Sequence, residues 1–119
     1  MRKALLILCA VAFIGFALLN LNDPDPVIWV LAYGLTALMF IGALLGRADR
    51  RIVGIYALTL AVWMLTMLPG MIEWARLGFP TITGSMQAHE PHIEVVREFL
   101  GLLIAVLALA ALWRATPKR

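Results

Sequence analysis

Residues 4–21 read ALLILCAVAFIGFALLNL and residues 27–45 read VIWVLAYGLTALMFIGALL, with only NDPDP, residues 22–26, between them. Neither apolar run contains a charge. At 1.5 Å per residue, helices of this length reach about 27 Å, close to the roughly 30 Å hydrocarbon core of a bilayer. A backbone in lipid must satisfy its own hydrogen bonds, so two such runs joined by a tight polar turn predict a transmembrane helical hairpin. Aspartate before proline is a strong helix start, with Asp25 expected as N-cap and Pro26 at the first helical position.

Moving outward, Arg2 and Lys3 precede the first run and invite a signal-peptide reading. The run is longer than the roughly 7–15 residues of a signal core and no A-x-A site follows it, so it is expected to be retained. A third apolar run covers 52–68 and halts at Pro69-Gly70, a strong breaker pair. Residues 71–77 then read as a short interfacial helix anchored by Trp74, or else as a kinked continuation. The last uncharged stretch, 99–113, spans only about 22 Å, so the fourth helix must begin near Ile93. That places Arg97 and Glu98 about one turn inside the membrane boundary.

The expected fold is therefore all-α. It is a polytopic membrane protein, a four-transmembrane-helix bundle with short loops and one longer outer loop, forming a single domain over 1–119. The spans are about 4–21, 27–45, 52–68 and 93–113, and the outer loop covers about 69–92. Composition agrees: 63% of residues are hydrophobic and 14% charged, against about 25% charged in soluble domains. The net charge of +3 does not indicate a nucleic-acid partner, because the basic residues flank apolar spans and form no stripe interleaved with aromatics. Orientation explains them instead. Arg2, Lys3, Arg47, Arg50, Arg51, Arg114, Lys118 and Arg119 fall on one side, and only Arg76 and Arg97 on the other. The positive-inside rule then puts both termini in the cytoplasm, with the plasma membrane as the expected location. Trp29 and Trp74 are expected at the outer interface and Trp113 at the inner one. Gly42/Gly46, Ala57/Ala61 and Gly101/Ala105 repeat a small-x-x-x-small spacing that favours close helix contact.

The side opposite the termini gathers the polar residues that could carry chemistry. Asn22, Asp23 and Asp25 offer oxygen ligands to a hard cation or a hydrogen-bonding group, although a tight turn needs such residues anyway. On the fourth helix Glu94 and Glu98 fall on one line with Gly101, Ala105 and Ala108. A stripe of small residues invites a neighbouring helix, so both carboxylates should face the bundle. Arg97 can neutralise one of them. The other needs Arg76, a histidine, a proton or a bound cationic group, since intramembrane charge is costly. A helix N-terminus also favours acids, which is the plain structural explanation. His89 and His92 could bind a transition metal, but Pro91 between them breaks any shared helical face and no third histidine exists. The spacing is not that of H-E-x-x-H. Thr59, Thr66 and Glu73 recur every seven residues but lead to no buried charge, which argues against a transporter. Cys9, alone in the first run, has no internal disulfide partner and serves packing.

The run from Asn22 to Pro26 with Trp29 after it, together with Arg97-Glu98 followed by Gly101-Leu102, resembles the transmembrane protein 220 family. The resemblance implies a small four-helix membrane protein whose outer polar residues are its marked positions, and it implies no settled activity or cofactor. The residues themselves point to a binding or accessory protein whose outer pocket is built from Asn22, Asp23, Asp25, Glu94, Arg97 and Glu98. Its partners are the lipid bilayer and, as candidates, a membrane-protein partner or a second copy. One alternative is a small enzyme acting on a lipid or quinone at the outer interface, for which two carboxylates are thin support. Another is a purely structural subunit of a membrane complex.

Overall fold

The computed structural model describes residues 2–22, 26–76, 78 and 91–116, with side chains of the last segment from Val96 onward. Every regular element among them is helical. Helix α1 spans Lys3–Leu19 and runs into a 3-10 turn, Asn20–Asn22; α2 spans Pro26–Leu44, α3 Arg50–Leu65, α4 Leu68–Arg76 and α5 Pro91–Ala115. The segments Lys3–Asn22, Pro26–Leu44 and Val96–Ala115 are each long and apolar enough to cross a membrane. The α3 and α4 helices meet that description only together, bent by 41° at their junction. The chain is a helical membrane protein with three candidate spans among the described residues, or four when the bent pair counts as one.

Large apolar side chains cover its outside, among them Leu8, Val11 and Leu18 of α1 and Ile55 and Leu58 of α3, all more than half exposed. A soluble monomer rarely shows so much contiguous apolar surface, whereas lipid accepts it at no cost. The inward residues follow the helical repeat. On α5, Leu102, Ala105, Leu109 and Leu112 are buried at alternating steps of three and four, the seam of a close-packed helix.

The helices form two antiparallel pairs. In the first, Phe13 of α1 stacks on Phe40 of α2 with centroids 5.9 Å apart, and Phe16 meets Tyr33 edge-on at 5.8 Å. Numbers rising along α1 pair with numbers falling along α2. In the second, α3 lies on α5, with Gly54 facing Trp113, and α4 also packs on α5. Aromatic and hydroxyl groups join the pairs. Trp29 stacks on Trp63 at 4.6 Å, and the Tyr56 hydroxyl donates to the Ala32 carbonyl. Trp29 is 4% exposed, so it is a core residue and not the interfacial anchor that its position predicts.

Helix ends show where sequence reading and structure part. Past Leu44, the Arg47 N–H donates to Gly42 O at 2.8 Å and the Gly46 N–H to Ala43 O at 3.1 Å, while Gly46 adopts φ 71°. This pair of bonds is the Schellman closure, which needs a left-handed residue and so favours glycine. The Gly42/Gly46 spacing thus ends a helix. No atom lies within 4 Å of a Cβ built at either glycine, so it makes no close helix contact. Asp49 caps α3 by accepting from the Arg51 N–H at 2.9 Å.

The third run breaks earlier than Pro69. Helix α3 ends at Leu65, four residues before the proline, because Pro69 has no N–H for the Leu65 carbonyl and its ring would strike that oxygen. Thr66 and Met67 tighten the last turn, with the Met67 N–H on Met64 O at 3.0 Å. Pro69 and Gly70 then sit in the first turn of α4.

Candidate functional site

The end of the molecule away from the termini holds three groups of polar residues. At the tip of the first pair, the Asn20 amide donates to Phe16 O at 2.7 Å and closes the frayed end of α1. Asn22, at the end of the 3-10 turn, is exposed. Asp23 and Asp25 lie outside the described residues, and Pro26 opens α2 as its proline geometry predicts.

The second group lies on α5. The backbone of Glu94 falls within this helix, and its side chain lies outside the described set. Arg97 and Glu98 are half-buried, and each has an interaction partner. Glu98 stands three residues before Gly101 and four before the fully buried Leu102, so it shares the face that α5 turns to the other helices. Gly101 itself is pressed against the Tyr33 hydroxyl, and a Cβ added there would collide with that oxygen. The absence of a side chain at Gly101 is what lets α5 close on α2 just inward of the ionisable pair. Seventeen residues separate Glu98 from Ala115 at the other end of the helix, about 25 Å at the helical rise.

The third group is α4. Glu73 and Arg76 form a pair at 3.7 Å with mostly exposed side chains, a contact worth little in itself. Met71 and Trp74 lie on the helix face that is half-covered, and no residue of α4 is fully buried. His89 lies outside the described residues, as does the side chain of His92, whose backbone belongs to the first turn of α5. Among the described residues no group of three or more histidine, cysteine or acidic side chains could hold a metal ion.

Sequence reading passed over one polar feature. Deep in the apolar region, Thr36 is fully buried, its hydroxyl 2.8 Å from Ala32 O and 3.4 Å from the Tyr56 hydroxyl, which also donates to Ala32 O. With Tyr33 this makes three hydroxyls inside apolar runs. The signal was present: a hydroxyl in hydrocarbon has to find a partner, and Tyr33 and Thr36 are one helical step apart on the same face. Tyr56 donates to the Ala32 carbonyl and Thr36 donates to that carbonyl and toward the Tyr56 hydroxyl, so these contacts hold α2 to α3.

A family model described as "Transmembrane family 220, helix" matches residues 12–114. No curated protein and no solved structure matches the chain.

Proposed function

The chain belongs to transmembrane family 220, and from that premise we propose that it is a binding or accessory protein of the plasma membrane with an acidic pocket at the non-cytoplasmic ends of its helices. In this reading the bent α3–α4 pair completes a fourth span. The basic termini and the Arg47–Arg51 loop face the cytoplasm, following the positive-inside rule. Asn22, Asp23, Asp25, Glu94, Arg97 and Glu98 line the pocket, which receives a cationic group carried by an ion, a lipid headgroup or a partner membrane protein.

The observation that carries the proposal is the half-buried Arg97–Glu98 pair on the inward face of α5, one turn from the Gly101–Tyr33 contact. Ionisable residues inside a span face protein or a polar cavity and mark sites more often than they serve packing. They are retained against a cost of about 2.5–3.5 kcal/mol per charge at mid-membrane, less near the boundary. A single arginine balances one carboxylate, and a cationic ligand balances the next.

The test is a native mass spectrum of the protein extracted gently from its own membrane, beside the Glu94→Gln, Glu98→Gln double variant. The proposal expects an added mass on the wild-type chain that the double variant loses while its helical circular dichroism is kept. A wild-type chain that carries nothing, or a double variant that holds the same mass, overturns it and leaves a structural subunit as the better reading.

A further inference from the structure

The opposite end of the molecule carries a second charge cluster, independent of the acidic pocket. The antiparallel pairing of α1 with α2, fixed by Phe13–Phe40 and Phe16–Tyr33, sets Lys3 across from the turn that holds Arg47. Arg50 and Arg51 open α3, and Arg114 follows Trp113 near the end of α5. Arg50 ties these elements together: its guanidinium carbon lies 4.0 Å from the centre of the Trp113 ring, and its Nε donates to Trp113 O at 3.2 Å. Arg2, Lys3, Arg47, Arg51 and Arg114 are exposed. Among the described residues the carboxylate within this cluster is Asp49, one of whose oxygens accepts the Arg51 N–H.

Helix chemistry accounts for only part of this arrangement. The first turn of α3 contains no acid and two arginines, although a helix N-terminus carries partial positive charge and favours anions. The Asp49 carboxylate at the N-cap and the Trp113 carbonyl near the C-terminal end of α5 offset part of this charge, which leaves Arg51 and Arg114 as exposed cations available to a further anion. Next to the cluster the surface becomes apolar at once: Leu45 and Ile52 are more than half exposed, and Leu5 and Trp113 nearly so. A ligand that suits both regions has an anionic head and apolar tails.

We propose that Arg47, Arg50, Arg51 and Arg114 form a binding site for the phosphate of an anionic phospholipid, whose acyl chains lie on the exposed apolar faces beside Leu45 and Ile52. Stacking on Trp113 fixes the Arg50 fork, and a planar guanidinium held in this way gives a phosphate two parallel donors where lysine gives a point charge. The surrounding arginines add attraction to an anionic leaflet.

The experiment uses the full chain in nanodiscs of equimolar phosphatidylglycerol and phosphatidylcholine, followed by native mass spectrometry of the lipids that stay bound. The expected result is at least a fivefold preference for phosphatidylglycerol. Arg50→Gln and, separately, Arg51→Gln reduce it at least threefold, while Arg76→Gln, with the same loss of charge at the other end, leaves it unchanged. Among the described residues Arg51 packs on no aromatic ring, so its variant reports on the site even where Arg50→Gln fails to fold. Absence of preference in the wild type, or an equal loss in Arg76→Gln, overturns the proposal. So does displacement of the retained lipid by millimolar inorganic phosphate, which would mark a site for a soluble anion.

Discussion

The two ends of this molecule are built by different rules. At the end carrying the termini, helix ends are closed by local chemistry: the Schellman bonds around Gly46, the Asp49 cap on α3, and the Thr116 hydroxyl on Leu112 O at 2.7 Å. Arg50 then fastens α3 to α5 through Trp113. At the other end, α3 is broken after Leu65, α4 is bent away without a buried residue, and the ionisable pair Arg97–Glu98 is half-sunk among the helices. The helix pairs are coupled near this second end, where Tyr33 of α2 reaches Gly101 of α5 one turn from Glu98.

The largest effect is expected at that coupling. Gly101→Ala drives a methyl group into the Tyr33 hydroxyl, and the ring has little freedom to yield because Trp29, Phe13 and Phe16 surround it and its exposure is 5%. Overpacking of this kind costs about 1–3 kcal/mol, read as a lowered unfolding temperature in detergent. Adding Tyr33→Phe should recover part of the loss, because the ring carbon Cζ would then be the nearest atom, 3.2 Å from the new methyl. A Gly101→Ala protein as stable as the wild type would mean that α5 can slide on α2, and this contact would not set how closely the helix pairs pack.

At the well-closed end, Gly46→Ala should cost about 1 kcal/mol. Its φ of 71° is one that a Cβ resists, and the space around it is open, so the penalty is backbone strain alone. A loss larger than that of Gly101→Ala would reverse the ranking of the two ends. The same unfolding measurement decides it.

Much of this was legible in the sequence, for reasons that can be assigned. The apolar runs follow from the thickness of hydrocarbon, the start of α2 at Pro26 from proline's fixed φ, and the inward stripe at Gly101 and Ala105 from the helical repeat. What failed depends on partners distant in sequence. Trp29 reads as an interfacial tryptophan until Trp63 is beside it. Gly42 and Gly46 read as a contact motif until the chain direction after Leu44 is known. Tyr33, Thr36 and Tyr56 meant little singly, since a hydroxyl gains its role from the carbonyl it meets. For the candidate site, the half-buried placement of Glu98 followed from its spacing to Gly101, whereas Asp23, Asp25 and the side chain of Glu94 lie outside the described residues.

The smallest energetic effect, and the sharpest on architecture, is expected at Pro69. Replacing it by alanine supplies the N–H that the Leu65 carbonyl lacks and removes the ring that strikes it, so the 41° bend should relax. Stability should change by no more than about 1 kcal/mol: proline in the first turn of α4 breaks no bond of that helix, and α4 buries nothing completely. Spin labels at Leu58 and Ile72, on either side of the junction, report the outcome as a distance. A longer distance in Pro69→Ala means that α3 and α4 are one helix kinked by its proline, and the pair then crosses the bilayer as a single span. An unchanged distance means that contact with α5 holds α4 at its angle. In that case the bend belongs to the packing of this end, and Glu73, Trp74 and Arg76 lie where they do because α5 keeps them there.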